Sequence, residues 1–213
     1  MRTDNGTVRV YRNFTDYKAF KTSFANDSIF GGRLLAIKSK EFITFYDWDE
    51  FNVVRRIDVP ENIKQLYWSE DGTQLILVLE TTFYLLQFKQ EEVEKAFAAE
   101  NQDEDEEEDG VEAAFDMLDE FPDIIMSGLW VSNECFTFIN AKGNIIYLIN
   151  GRMMKLGNAE KKQFILGYEG KQNRLYLIDK SLKVVAHRLM LSVLNYQAAI
   201  LLGDDKKAET LIA

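Results

Sequence analysis

The stretch "IKQLYWSEDGTQLILVLETTFYLLQF" (Ile63 to Phe88) holds three short runs of β-branched and aromatic residues parted by turn chemistry. Between the first two, Asp71-Gly72 supplies a glycine that tolerates positive φ and an aspartate that can bond its own backbone, as a hairpin turn needs. Comparable runs fill Thr7 to Phe88, among them "TVRVYRNF", "RLLAIKS", "EFITFYDW" and "NVVRRIDV". They return later as "SGLWV", "CFTFIN", "NIIYLIN", "RMMKLGN", "QFILGYE", "NRLYLID" and "LKVVAHRL", with "AKGN" as a second explicit turn. Strands this short and this regularly spaced restrict the fold to a sandwich, a barrel or a propeller.

A propeller fits best, because strand, Ser-x-Asp-Gly turn and strand open a WD-type blade, and a Trp-Asp pair ends its third strand. "FITFYDWDEFNVVRRIDV" (Phe42 to Val59) then supplies third and fourth strands around Trp48-Asp49. "NRLYLIDKSLKVVAHRL" repeats that theme near the end, and the spacing agrees with about 40 to 45 residues per blade. The count is roughly three to four blades, whereas closed propellers have about four to eight. The expectation is a mainly β chain with α, a partial WD-type β-propeller whose missing blades lie upstream of residue 1, so that "MRTDNG" reads as a trimmed start. Its uncovered strand edges make self-association a route to completion.

Two segments change period. "QEEVEKAFAAE" spaces Val93, Phe97 and its alanines as one face of a helix, and "GVEAAFDMLDEF" resumes helical spacing through Val111, Ala114, Phe115 and Leu118 until Pro122 stops it. After His187, Leu191, Leu194, Ala198 and Leu201 share a helical face, Gly203-Asp204 closes that helix, and "DKKAETLI" opens another. A short helical pair cannot bury its face alone and reads as the start of a helical array. The predicted organisation is propeller blades over 1–89, a helical insertion with an acidic loop over 90–122, blades again over 123–189, and the start of an α-solenoid over 190–213.

Charge narrows the partners. The 25 basic and 35 acidic side chains give −10, of which "DEDEEED" (Asp103 to Asp109) supplies seven negatives, leaving −3 elsewhere. A near-neutral body has no clustered Lys/Arg to release counterions from phosphate backbones, which argues against nucleic acid. The single cysteine, Cys135, cannot make an internal disulfide, and no signal-peptide pattern opens the chain. Both point to a cytosolic compartment. Apolar runs such as "IIYLIN" fall far short of the roughly 20 residues that span a bilayer.

On these residues the chain resembles the second propeller of the beta-prime subunits of coatomer, the COPI vesicle coat. The resemblance runs from "TVRVYRNFTDYKAFKTSFANDSIFGGRLLAIKSKEFITFYDWDEFNVVRRIDV" through "YWSEDG" and "GLWV" to "NRLYLIDKSLKVVAHRLMLSVLNYQAAILLGDDKKAETLI", and departs at "NQDEDEEED". It implies a non-catalytic coat scaffold that pairs with the alpha subunit and other coat subunits. Such a scaffold is peripheral on Golgi membranes and vesicles through the coat, and serves Golgi-to-ER and intra-Golgi transport. Dilysine cargo recognition belongs in that family to the first propeller, so no cargo-binding residue carries over.

The tempting residues read blandly. His187 lacks partners for a metal cage or a nucleophile-base pair, and Cys135, beside Glu134, lacks the electropositive surroundings of a reactive thiol. "DEDEEED" lacks the interposed ligands and Gly pivot of a calcium loop, and reads as a solvated loop or a dock for a basic partner. Lys161-Lys162 and Lys206-Lys207 are internal and carry no sorting signal, and "FGGR" (Phe30 to Arg33) is too short for a phosphate loop and reads as a bulge or tight turn. Trp48, Trp68 and Trp130 are expected in strands, in core or inter-blade packing. No cofactor, metal or catalytic residue is assigned. Two alternatives stand beside the coat reading: a generic WD-type adaptor outside trafficking, and a propeller hydrolase using Asp47 and Asp179 as channel acid and base.

Overall fold

A computed structural model describes residues 2–3, 6–99, 109–159 and 162–212. The chain divides into two compact units, one of residues 1–66 with 87–116, the other of residues 67–86 with 117–213. The acidic tract up to residue 108 and Lys161 lie outside the described residues.

The first unit opens with β1 (Arg2–Thr3), β2 (Thr7–Arg12) and β3 (Thr15–Lys21), a three-stranded antiparallel sheet in chain order. A four-stranded sheet follows, β4 (Ser28–Phe30), β5 (Leu35–Lys38), β6 (Phe42–Tyr46) and β7 (Val53–Asp58), again in chain order. As the sequence predicts, "FITFY" and "VVRRID" are its third and fourth strands, paired from Phe42↔Asp58 to Tyr46↔Val53. The short helix α1 (Gln90–Ala98) also belongs to this unit. The chain returns from the insertion onto β7, where the Val111 amide donates to the Val54 carbonyl over 2.8 Å. Gly110 makes that approach possible: its φ is +72°, and a Cβ there would lie 2.6 Å from the Val54 oxygen.

The sheet of β8 (Gln65–Trp68), β9 (Gln74–Val78), β10 (Phe83–Phe88) and β11 (Phe115–Phe121) belongs for the most part to the second unit. The predicted Ser-x-Asp-Gly turn joins its first two strands. The expected helix over 110–121 is corrected here: a 3-10 turn at Glu112–Ala114 leads into β11, the fourth strand of this sheet. Phe115 and Phe121 fit a period of 2 as well as the apolar positions fit 3.6, and pairing with β10 decides between them. Phe121 then stacks on Phe83 with ring centroids 4.8 Å apart. The helical part of the insertion therefore ends before the fourth strand begins.

The second unit continues with β12 (Ile125–Ser132), β13 (Cys135–Asn140), β14 (Asn144–Ile149) and β15 (Arg152–Asn158) in chain order, and then β16 (Gln163–Glu169), β17 (Arg174–Asp179) and β18 (Val184–Arg188). All six residues of β13 are buried because both of its faces are covered. Phe136 and Phe138 join a core with Ile76, Val78, Phe83, Leu85 and Phe121, while Cys135 and Ile139 join Leu175, Leu177, Leu194 and Ala198 on the other side.

Second strands begin at Leu35, Gln74, Cys135 and Arg174, and third strands at Phe42, Phe83, Asn144 and Val184. Each place recurs at about 40 residues, the blade period, except where the segment between β10 and β11 lengthens one interval. The same spacing corrects the reading of "NRLYLIDKSLKVVAHRL". Its two strands take the second and third places of the last sheet, and only their alternation matches β6 and β7. Two helices close the chain, α2 (Leu191–Leu202) and α3 (Asp205–Ile212). Gly203 at φ 71° ends α2 in a left-handed cap, and Asp204 accepts the Lys207 amide over 3.0 Å to start α3. Among the described residues no helix is long and apolar enough to cross a membrane.

Candidate functional site: turn braces and aromatic junctions

Four hairpin turns are fixed by a polar side chain that collects backbone amides. Asp71 Oδ1 accepts from Ser69 Oγ at 2.7 Å, from the Thr73 amide at 3.0 Å and from Thr73 Oγ at 2.9 Å. Partial burial works to raise the Asp71 carboxyl, but these hydrogen bonds outweigh it and hold the group below its ordinary value. At the turn after β13, Asn140 Oδ1 accepts the amides of Lys142 and Asn144. These residues reverse the chain; their oxygens are already spent.

The two carboxylates considered as a catalytic pair belong to the same class. Asp47 Oδ1 accepts the amides of Asp49 and Glu50 at 2.8 and 2.7 Å, and its Oδ2 accepts the Asn52 amide at 2.6 Å. Asp179 Oδ1 accepts the Ser181 amide at 2.8 Å, Ser181 Oγ at 2.6 Å and the Lys183 amide at 3.0 Å. Each braces its own hairpin. Asp47→Ala would strip three amides at once and is expected to lower stability by about 1 to 2 kcal/mol, with Asp47→Asn milder, read from urea unfolding midpoints.

Cys135 is 1% exposed, and burial pushes its thiol up to about 12. The folded protein is therefore expected to leave Cys135 unlabelled by a thiol disulfide reagent at pH 8, with full labelling only after denaturation. Because the thiol keeps its proton in the fold up to about 12, its contribution to stability is intact below pH 9 and declines from there toward 12. His187 lies on β18 opposite Leu175. Among the described residues no group of three or more His, Cys, Asp or Glu is arranged to hold a metal. Lys207 is engaged in an ion pair with Glu134 at 2.6 Å, and Gly31 to Arg33 form the turn from β4 to β5.

The tryptophans divide. Trp130 on β12 packs into the core, its Nε1 donating to the Tyr67 carbonyl over 2.9 Å, and Trp68 ends β8. Trp48 is not in a strand: it lies in the bend after β6, 37% exposed, its Nε1 donating to the Gly32 carbonyl over 3.1 Å. Its bond ties the turn after the third strand to the turn after the first.

Sequence reasoning passed over an aromatic junction in the first unit. Phe20 on β3 stacks on Phe51 with centroids 4.7 Å apart and meets Tyr46 at 5.4 Å, while Lys18 Nζ lies 4.9 Å from the Phe51 centroid. The third-to-fourth turn of one sheet thereby grips the outer strand of the sheet before it. In the second unit Leu148 and Gly151 stand at the places of Tyr46 and Phe51, and a cavity of about 520 Å³ opens beside them, lined also by Leu118, Asp119, Trp130 and Ala198. The sheets, the turn braces and the junctions are those of propeller blades.

A family model described as the COPA/B second beta-propeller matches residues 1–179. The chain belongs to that family. Its β1 to β17 thus fall within the matched COPA/B propeller, while α2 and α3 lie beyond it. Coatomer subunit beta' of Homo sapiens is 35% identical over 212 residues, covering 100% of this chain and 23% of that protein. Coatomer subunit beta' of Drosophila melanogaster is 36% identical over 213 residues, and coatomer subunit beta'-1 of Arabidopsis thaliana 33%, each match spanning the whole chain and 22% of the relative. The chain thus spans less than a quarter of the length of the curated relatives it matches. Among solved structures, the computationally designed Ika4 protein aligns with TM-score 0.53 at 9% identity, over 78% of this chain and 94% of that one. That likeness concerns the fold alone.

Proposed function

We propose that the chain is a non-catalytic scaffold segment of the COPI coat. On this reading it acts in Golgi-to-ER and intra-Golgi transport, on the cytoplasmic side and peripheral to Golgi and vesicle membranes through its fellow subunits. The observation that carries the reading is 33–36% overall identity to coatomer beta' subunits from animals and a plant in matches that span the whole chain, α2 and α3 included. Those two helices are the start of an α-solenoid, and the alpha subunit of coatomer is the partner they lead toward.

No catalytic, cofactor or metal residue is assigned. A hydrolase would need Asp47 and Asp179 as free acid and base, yet each already accepts three hydrogen bonds within its own turn. The test is binding of the alpha subunit's helical region to a polypeptide carrying these residues with the complete helical array. Specific capture supports the proposal. Failure of the complete array to bind argues against it.

A further inference from the structure

The aromatic junction in the first unit has a counterpart one sheet earlier. The last pair before the turn is Arg12↔Thr15 in the first sheet, and the Asp47 amide bonds the Asn52 carbonyl at the same place in the second. Both hairpins carry a register shift just inside that pair, between Val10 and Tyr11 and between Phe45 and Tyr46. Tyr11 therefore stands where Tyr46 stands. Phe14 stands where Phe51 stands, as the last residue of the loop before the closing pair, and both phenylalanines have φ 63°.

A bulky residue in the left-handed region is strained and persists where its surroundings hold it there. For Phe51 the return is visible: it is 8% exposed, Tyr46 is 7% exposed, and the two close on Phe20 beneath the Lys18 ammonium. Phe14 holds the same conformation at 104% exposure, with Tyr11 at 47%. The same two residue types, each Phe ending its loop but the loops two and four residues long, have no strand between them among the described residues.

We propose that Tyr11 and Phe14 are the receiving half of a second inter-blade clamp. Its occupant is the outer strand of a further propeller blade, bearing an aromatic side chain with a basic residue two positions ahead of it, as β3 bears Phe20 and Lys18. Stacking on Phe14 and a cation over its ring would reproduce the contacts seen at Phe51. Exposed aromatics beside Arg9, Arg12 and Lys18 also fit an anionic bilayer surface, but the equivalent pair in the next sheet is used on a strand. The proposal rests on the repeat geometry and not on the coat reading, so either can fail without the other.

The experiment places the photo-cross-linker p-benzoylphenylalanine at position 14 of the protein as its own cell expresses it, with mass spectrometry of the irradiated product. The same probe at position 48, whose native side chain touches Gly32, reports that the chemistry works. The expected result is a cross-link from position 14 to a blade strand with the basic-x-aromatic pattern, weakened by Tyr11→Ser. A cross-link to lipid, a cross-link to a polypeptide without such a strand, or no cross-link while position 48 reacts would each overturn it.

Discussion

Replacing Phe136 with alanine is expected to destabilise the second unit by about 3 to 5 kcal/mol, the largest loss from any single truncation considered. Phe136 is fully buried on β13, where it pairs with Trp130 of β12, and Trp130, Tyr67 and Phe138 surround it at centroid distances of 5.3, 5.3 and 5.9 Å. Three ring neighbours held in strands cannot collapse into the space, so the cavity term adds to the lost transfer energy. Against a typical total stability of about 5 to 15 kcal/mol, the loss is a large fraction. Trp130 fluorescence during urea unfolding reads it directly, because that indole packs on the deleted ring. A midpoint unchanged from wild type would contradict the core described above.

The second large effect is at Gly128 on β12. A Cβ there would lie 2.3 Å from Cζ of Phe136 and 3.0 and 3.2 Å from its Cε atoms. The ring has no free direction, since Trp130 and Phe138 hold its other faces. Gly128→Ala is therefore expected to cost about 1 to 3 kcal/mol by overpacking. Combined with Phe136→Leu it should cost less than the sum of the two, because the smaller side chain vacates the volume the methyl needs. A double-mutant cycle measures that coupling, expected at about 0.5 to 3 kcal/mol. Strict additivity would mean that the two residues do not touch.

Much of the fold was legible because blade strands advertise themselves locally. The Ser-Glu-Asp-Gly turn, the "FITFY" and "VVRRID" pairing and the Gly203 stop all emerged where turn chemistry and alternation predict them. The strand at Phe115–Phe121 was not legible, because its apolar residues satisfy both periods and only pairing with β10 selects one. The places of β17 and β18 within their sheet were misread for a related reason: second and third strands alternate alike, and only the interval between successive sheets distinguishes them.

The candidate site was less visible. Asp47 and Asp179 look like spare acids in a sequence, since nothing in residue order shows that each collects hydrogen bonds within its own turn. The Tyr46, Phe51 and Phe20 junction joins two sheets across some thirty residues of chain, a relation that no short-range pattern encodes. One signal was available: a Tyr followed by a Phe just before the returning strand, in "YRNF" and again in "YDWDEF".

The central claim is that this propeller segment works as part of a vesicle coat. Affinity purification of the tagged protein from the cytosol of its own cell, with mass spectrometry of what comes with it, tests that most directly. The alpha subunit and the remaining coatomer subunits are expected in stoichiometric amounts. Recovery of the protein alone, or with a set of partners that includes no coat subunit, would contradict it.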